Sequence, residues 1–374
     1  MTVEADAAPP LSDPPLCVDL DGTLVKSDTF QDALCNLLRH NPMALLRAPF
    51  WLRGGRAGVK HQVAQRAPLE PAHLPYNNEL IRFLQAEHRR GRSLYLATGA
   101  DGELAQRVAA HLGLFQGVLA SNGETNLTRE RKLHRLREQF GSFDYVGNSR
   151  ADLILLAHAR QAMVANPTLG LRLALRKRNV AVQRVFLDLQ PVFGSLLSVL
   201  HIRRWSINLL LFLPLLLAHR ITRPAVAAAF TAFLCFSFLA SAGWLVDGLL
   251  HMESDRRNPA RRMGPFAAGN LTVTAGVALA AALVLGSVAL LPRLPSAFAF
   301  YLGLYFLAGP LYVLFLRRVP ILGALLLAGL CMVRLLAGGA ATATPLPHDL
   351  AAVAALLFFV AALAARVVSG RFIS

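Results

Sequence analysis

The second half of this sequence has almost no acidic residues and no lysine. After Gln190 it contains four carboxylate side chains, at Asp247, Glu253, Asp255 and Asp349, and its 14 strongly basic residues are all arginine. Over all 374 residues, 16% are charged and 55% are hydrophobic, whereas a soluble domain is usually about 25% charged. This composition excludes an intrinsically disordered chain. A charged first half and an apolar second half indicate a soluble domain joined to a membrane domain.

Cysteine is also scarce. The four cysteines are scattered without a pairing pattern, which excludes a disulfide framework and a zinc site. Residues 1–15 are acidic and proline-rich, unlike a signal peptide, so they predict a disordered tail and a front domain that stays in the cytoplasm. The net charge of +16 is compatible with nucleic-acid binding. However, many arginines flank apolar spans, so we expect a membrane and no nucleic acid as partner.

Short apolar runs alternate with amphipathic helical patterns after the tail. They predict five buried strands, at residues 16–20, 93–97, 118–121, 145–146 and 162–165. This alternation predicts an α/β domain with a Rossmann-like parallel sheet over residues 16–170. Each run ends in polar residues, and ligands of open α/β sheets bind at the carboxyl ends of the strands.

Residues 171–204 form a basic amphipathic connector. It lies on an anionic membrane face or is a solvated linker helix, and the sequence favours neither. Residues 205–374 predict an all-α membrane bundle of about six helices, at 206–218, 225–246, 271–291, 296–316, 319–340 and 350–368. The arginine-rich loops indicate the cytoplasmic side, so we expect an integral protein of the cytoplasmic membrane with its N-terminal domain in the cytoplasm.

Two aspartates, Asp19 and Asp21, directly follow the first predicted strand. The first can attack phosphorus, and the second can protonate the leaving oxygen and then activate water. A carboxylate attacks a phosphate anion only when charge is neutralised, which calls for Mg²⁺ and a cation. The candidates for the other roles are Lys132 as the cation, Thr98 as a hydroxyl donor to the phosphoryl group, and Asn148 and Asp152 as metal ligands beside the two aspartates.

These residues resemble the four motifs of the haloacid dehalogenase superfamily. In motif order they are residues 19–23, Thr98, Lys132 and residues 147–152, and residues 120–127 resemble the stretch before the third motif in phosphoserine-phosphatase-like members. The resemblance covers about residues 14–170. It implies a Mg²⁺-dependent phosphatase with a helical cap at about 28–90. The chain departs from the family at Asn148, where an aspartate is usual, and Asp152 is the residue that would compensate for the lost charge.

The second half resembles the UbiA superfamily of membrane prenyltransferases over about residues 197–345. The resemblance rests on Trp205, Asn208, residues 255–259, Arg262, Pro265, residues 267–269, residues 317–320, Arg334 and residues 337–338. It implies an isoprenoid or polyprenyl phosphate lipid as a partner. The implied substrate-binding residues are Asn208, Asp247, Asp255, Arg256, Arg261, Arg262 and Arg334.

The carboxylate clusters that hold Mg²⁺ on a diphosphate in this family are incomplete here. In the first cluster only Asp255 stands in register, with Asp247 at the position of an asparagine. The leading aspartate of the second cluster aligns with Gly323, and no acidic residue lies between Asp255 and Asp349. The six predicted spans compare with about nine in the family. We therefore expect the membrane half to bind an isoprenoid phosphate without efficient transfer.

The sequence leaves three functions open. The main one is a phosphatase fused to a UbiA-like domain, acting on a polyprenyl-linked sugar phosphate or a related isoprenoid phosphate. The alternative is a membrane-anchored phosphatase whose UbiA-like part only binds lipid or a partner. The third is a non-catalytic membrane scaffold, which Asn148 favours and which the combination of Asp19, Asp21, Thr98 and Lys132 opposes.

Overall fold

The computed structural model of the protein describes residues 13–121, 127–314 and 319–368. Predicted features outside these ranges are most of the tail, residues 122–126 before the third motif, and the arginines at 317, 318 and 371. The chain forms two compact units. The first consists of Met1–Pro191 and Leu250–Val273, and the second of Val192–Leu249 and Thr274–Ser374.

The first unit is built on a parallel sheet, as predicted. Its strands are β1 Leu16–Val18, β2 Leu94–Asp101, β3 Gly117–Ser121, β4 Asp144–Gly147, β5 Ala162–Ala165 and β6 Val182–Phe186. The strand order is β3-β2-β1-β4-β5-β6. The five predicted strands are confirmed. The sixth lies beyond the predicted boundary at residue 170, so the first part of the predicted connector belongs to the α/β unit.

Helices cover both faces of this sheet. They are α1 Thr29–His40, α2 Ala48–Trp51, α3 Gly55–Arg66, α4 Asn78–Arg89, α5 Gly102–Leu112, α6 Glu130–Phe140, α7 Leu153–His158 and α8 Leu169–Lys177. Successive side chains of β1 pack into different apolar clusters: Leu16 and Val18 belong to one cluster, and Cys17 belongs to the other. A parallel strand buried on both faces explains why the predicted runs are almost wholly apolar.

The second unit is helical. Its helices are α9 Val192–Leu200, α10 Leu213–Leu217, α11 Arg223–Arg257, α12 Val273–Leu290, α13 Ser296–Leu314, α14 Pro320–Thr342 and α15 His348–Val368, and α11 continues into the first unit at Leu250. In the described part of the chain, five helices are long and apolar enough to cross a membrane, at Phe193–Leu217, Arg223–Arg257, Val273–Arg293, Ile321–Thr342 and His348–Ala365. The other predicted span falls in α13, whose apolar part, Ser296–Gly309, is shorter.

A close approach in this unit depends on glycine. A Cβ on Gly338 would collide with the main-chain oxygen of Leu211, so the absence of a side chain lets α14 touch the segment before α10. Small residues allow backbones to come close in membrane helices. Large apolar side chains such as Leu285, Leu307 and Leu356 are exposed on the helices, as expected for surfaces that face lipid.

Candidate active site

Lys132 and Asp19 form a buried ion pair at the carboxyl edge of the sheet. Asp19 directly follows β1, and its main-chain N–H donates to the Val146 carbonyl of β4 at 3.0 Å. Lys132 lies on α6 and is 4% exposed, and its Nζ donates to Asp19 Oδ1 at 2.8 Å. A buried charge pair is stable only with good geometry and further hydrogen bonds. Lys132 makes one such bond by donating to the Tyr145 hydroxyl oxygen at 3.0 Å.

For each member of this pair, burial and the neighbouring charges shift the pKa in opposite directions. Burial raises the pKa of Asp19 to about 6, although Lys132 acts to lower it. Burial lowers the pKa of Lys132, but the carboxylates of Asp19 and Asp152 outweigh that effect and raise it above the ordinary lysine value. The pair therefore has an anionic carboxylate and a cationic ammonium at neutral pH, as nucleophilic attack on a phosphate requires.

Asp21 faces the beginning of α1. Its Oδ1 accepts a hydrogen bond from the Thr29 main-chain N–H at 2.8 Å. Burial and the neighbouring Asp28 carboxylate raise the pKa of Asp21 well above its ordinary value, which the Thr29 hydrogen bond only partly offsets. A raised pKa keeps a proton on a carboxyl group near neutral pH, which suits a general acid.

Thr98 lies inside β2 and is fully buried. Val18, the residue before Asp19, pairs with Leu96, so Thr98 lies two residues beyond that pair on the neighbouring strand. Its Oγ1 accepts the main-chain N–H of Ala100 at 3.0 Å. That bond fixes the hydroxyl oxygen and leaves its proton to be donated.

Asn148 follows β4 and packs against the first motif. A Cβ on Gly22 would collide with the Asn148 carboxamide, so the predicted fourth motif touches the predicted first motif. Asn148, Asp19 and Asp21 offer amide and carboxylate oxygens, the ligand types that Mg²⁺ prefers. Among the described residues, no group of three His, Cys, Asp or Glu side chains is placed to hold a metal.

Both carboxylate oxygens of Asp152 are occupied by hydrogen bonds. Oδ1 accepts from the Tyr145 hydroxyl at 2.9 Å. Oδ2 accepts from the main-chain N–H groups of Asn148 and Ser149 at 3.3 and 3.0 Å, and from the Ser149 hydroxyl at 2.8 Å. Asp152 therefore anchors the loop that carries Asn148. These bonds compete with its predicted role as a metal ligand.

Three side chains that the sequence analysis did not select line or support the site. Tyr145 links Lys132 to Asp152, and its position inside a buried strand was the available signal, because a buried tyrosine hydroxyl needs a partner. Lys60 Nζ on α3 donates to the Gly99 carbonyl at 2.9 Å, and His61 Nδ1 lies 2.9 Å from Asp101 Oδ2. No local sequence pattern indicates these last two contacts.

A cavity of about 30 Å³ lies between the cap helices and β2. Its lining includes Thr29, Lys60 and Ala100. The main-chain N–H groups of Thr29 and Ala100 donate to Asp21 and Thr98, respectively. The cavity has room for a water molecule.

The predicted substrate-binding residues of the UbiA-like part fall into two sets. In the second unit, Arg334 is 5% exposed, and its Nε donates to Asn208 Oδ1 at 2.8 Å. Arg334 Nη2 donates to the Tyr305 hydroxyl at 2.8 Å, and Asn208 Nδ2 donates to Ser237 Oγ at 3.0 Å. Asp247 lies half-buried in α11 of the same unit.

The other set belongs to the first unit. Arg261 Nη1 lies 3.6 Å from Asp255 Oδ1, and Arg262 is exposed. Arg256 is 6% exposed, and its guanidinium bonds to Asp32, Ser27 and the Ala267 carbonyl. This geometry does not favour the predicted contact of Arg256 with a lipid phosphate, because its charge is already paired with the buried Asp32 carboxylate inside the unit.

No protein-family model matches the chain. An uncharacterized protein, y4nM, of Sinorhizobium fredii is 33% identical over 328 residues, covering 87% of this chain and 63% of the relative. The nodulation protein NoeC of Azorhizobium caulinodans is 32% identical over 158 residues, covering 41% of this chain and 50% of the relative. The decaprenyl-phosphate phosphoribosyltransferase of Corynebacterium glutamicum is 34% identical over 126 residues, covering 33% and 38%. The chain thus spans less than two thirds of the length of each of these relatives.

Two solved structures resemble the first half. A protein of unknown function from Bordetella pertussis matches 46% of this chain and 98% of its own, with a TM-score of 0.38 and 18% identity. A phospho-aspartyl intermediate analogue of phosphoserine phosphatase matches 50% of this chain and 99% of its own, with a TM-score of 0.34 and 11% identity. The chain combines an α/β unit built on a parallel sheet with an apolar helical part, which is the fold class that its motifs predict.

Proposed function

We propose that the α/β unit is an aspartate-dependent phosphatase carried by a membrane domain that binds an isoprenoid phosphate. The observation that carries this proposal is the buried 2.8 Å pair between Lys132 and Asp19 at the carboxyl edge of the sheet. A buried carboxylate at a ligand-binding edge, held by a buried cation from a different element, suits a nucleophile toward an anionic substrate.

Two steps account for phosphate release. An oxygen of Asp19 forms a bond to phosphorus, the bond from phosphorus to the leaving oxygen breaks, and Asp21 gives its proton to that oxygen. Asp21 then takes a proton from water, whose oxygen bonds to phosphorus while the bond from phosphorus to the Asp19 oxygen breaks, which releases inorganic phosphate and restores the Asp19 carboxylate. Lys132 and the Thr98 hydroxyl stabilise the negative charge on the phosphoryl oxygens during both steps.

Asp19, Asp21 and Asn148 are the residues that would hold Mg²⁺. The ion would supply positive charge that lets two anions approach each other. Asp152 was predicted as a fourth ligand, and its four hydrogen bonds support a positioning role instead, in which it fixes the backbone at Asn148.

The substrate class follows from the membrane part. We propose a phosphate on a polyprenyl-linked sugar or a related isoprenoid, dephosphorylated at the cytoplasmic face of the cytoplasmic membrane. Five helices suited to span a membrane support this choice. The similarity to enzymes named for decaprenyl phosphate also supports it.

The membrane half is proposed to bind lipid without efficient transfer. The buried Arg334 has hydroxyl, amide and carbonyl partners, at Tyr305, Asn208 and Leu330. Among the described residues no carboxylate pairs with it, so its charge is not neutralised, and a lipid phosphate would replace one of these neutral hydrogen-bond partners. This observation favours the second candidate function, a membrane-anchored phosphatase with a lipid-binding domain, over a fusion of two working enzymes.

A release assay tests the phosphatase. The full chain in lipid nanodiscs with Mg²⁺ is given a polyprenyl-linked phosphosugar or the soluble phosphate p-nitrophenyl phosphate, and inorganic phosphate is measured. We expect Asp19→Asn to abolish release from both. The matched control is Asp13→Asn, whose side chain is 66% exposed, and it should retain wild-type activity. Equal activity in the Asp19→Asn protein would refute the proposal.

A further inference from the structure

The segment Leu250–Val273 belongs to the phosphatase unit although it lies far along the chain. It begins in the last turns of α11 and groups with residues up to Pro191 rather than with the apolar helices. Its main contact is Arg256, which bonds to Asp32 across a sequence separation of 224 residues. The α/β unit is therefore discontinuous, and residues 1–191 are only part of it.

All three guanidinium nitrogens of Arg256 donate hydrogen bonds within this unit. Nη1 donates to Asp32 Oδ2 at 2.8 Å, Nη2 donates to Ser27 Oγ at 3.1 Å, and Nε donates to the Ala267 carbonyl at 3.0 Å. Asp32 is 1% exposed, so its charge needs a partner inside the protein. The Ser27 hydroxyl donates to the same Asp32 oxygen at 2.6 Å, which closes a three-residue network.

This network holds the first turn of α1, the turn that also contacts the proposed general acid. Asp28 caps the helix by accepting the Gln31 N–H at 3.0 Å. Ser27 lies before this turn and Asp32 lies in it, and both accept a hydrogen bond from Arg256. Between them, the Thr29 N–H donates to Asp21 at 2.8 Å. One turn of helix thus joins Arg256 to Asp21.

The same segment also packs against the loop that leads into this turn. Gly269 has φ of +71°, and a Cβ there would lie 2.8 Å from Lys26 Cβ and 3.3 Å from Pro75 Cγ. Arg39 on α1 donates to Ser254 Oγ at 2.7 Å. The chain before the turn, the turn itself and the helix after it are therefore all contacted by Leu250–Val273.

We infer that Arg256 is a positioning residue of the phosphatase reaction, which keeps the first turn of α1 in the place where Thr29 contacts Asp21. This inference rests on the proposed phosphatase activity. It assigns to the phosphatase an arginine that the sequence resemblance assigned to a lipid phosphate. A misplacement of about 1 Å at a catalytic group lowers a rate by roughly 100-fold, so loss of Arg256 should lower kcat much more than it changes KM.

Three variants of the full chain separate positioning from folding, with p-nitrophenyl phosphate as the probe. Arg256→Lys keeps a charge for Asp32 but cannot make three directed bonds, so we expect partial activity. The double variant Arg256→Met and Asp32→Leu removes the pair without leaving a buried charge, a replacement that usually preserves stability. We expect it to retain the wild-type Tm with kcat lowered by about 100-fold and KM changed less than threefold.

Arg257→Ala is the matched control. This neighbour is 51% exposed and pairs with Glu253, and its loss should leave kcat unchanged. A double variant with wild-type kcat, while Asp19→Asn is inactive, would overturn the role of Arg256 and leave the phosphatase proposal standing. Wild-type activity in Asp19→Asn would instead overturn the phosphatase proposal itself.

Discussion

The carboxamide of Asn148 packs directly on Gly22, so the loop after β4 and the loop after β1 form one surface. Gly22 has φ of +73°, a conformation that costs other residues about 1–2 kcal/mol. Two independent constraints, backbone conformation and steric contact, therefore require glycine between Asp21 and Thr23.

Gly22→Ala should abolish phosphatase activity and lower the Tm, because the new methyl group must displace Asn148. Gly141→Ala separates the two constraints. Gly141 has φ of +66°, but a Cβ there would meet no atom within 4 Å, so this variant should lose some stability and retain activity. Thermal unfolding and phosphate release measured on both variants check the prediction. Similar activity losses in the two would show that contact with Asn148 is unimportant.

Asn148→Asp should tighten Mg²⁺ binding, because a carboxylate adds negative charge at a site for a hard cation. We expect the Mg²⁺ concentration needed for half-maximal activity to fall by about tenfold or more, within the range of 10- to 100-fold seen for changes around metal sites. Asp152→Asn is the comparison, and it should weaken Mg²⁺ activation through the loosened loop. Unchanged or weaker Mg²⁺ activation in Asn148→Asp would contradict the assignment of this position.

The raised pKa of Asp21 predicts a pH-dependent stability of the metal-free protein. The folded chain holds a proton on Asp21 at pH values where the unfolded chain has released it, so this group lowers the free energy of unfolding as the pH rises. Asp21→Asn removes that cost and should raise the Tm at about pH 8 while changing it little at about pH 4. Saturating Mg²⁺ should reduce the difference.

Thermal unfolding in detergent, with Asp13→Asn as the exposed control, measures this effect. The same Tm difference at both pH values would mean that burial of the Asp21 carboxylate does not determine its protonation.

Arg334 should determine lipid binding by the membrane half. Arg334→Ala removes the charge and leaves Asn208 without its Nε donor, so association with a radiolabelled polyprenyl phosphate should fall at least tenfold, equivalent to about 1.4 kcal/mol. Arg293→Ala, at an exposed position after α12, is the matched control and should bind normally. Binding that survives in the Arg334→Ala protein would place the lipid phosphate elsewhere.

A transfer assay tests the expectation that the membrane half does not transfer prenyl or phosphoribosyl groups efficiently. With Mg²⁺ and labelled prenyl or phosphoribosyl diphosphate, the full chain should form little product, because the region aligned with the second carboxylate cluster has Gly323 in place of an aspartate. Robust transfer that requires Asp255 would restore the membrane half as a working enzyme.

Local patterns predicted most of the sheet and the central pair of the site. The strands before Asp19 and Asn148 are buried on both faces, and the polar residues that follow them mark the edge where ligands of open α/β sheets bind. Strand β6 was missed because it is an edge strand with exposed Gln183 and Arg184, so its pattern resembles a basic linker.

The contacts of Arg256 could not be predicted from the sequence. The positive-inside rule and the family resemblance each explain an arginine beside an apolar span. No sequence pattern near Arg256 indicates a contact with Asp32, which lies 224 residues away. A division by composition also assumes that each domain is one continuous stretch, whereas the α/β unit here takes Leu250–Val273 from beyond α11.

Trapping of the aspartyl-phosphate tests the central claim most directly. The full chain is quenched in acid during turnover of p-nitrophenyl phosphate and reduced with borohydride, which converts an acyl phosphate to an alcohol, and the peptides are analysed by mass spectrometry. We predict that Asp19 alone is converted to homoserine, and that Asp21 is unchanged. Phosphate release at a measurable rate with no modified Asp19, or with the modification at another carboxylate, would contradict the account.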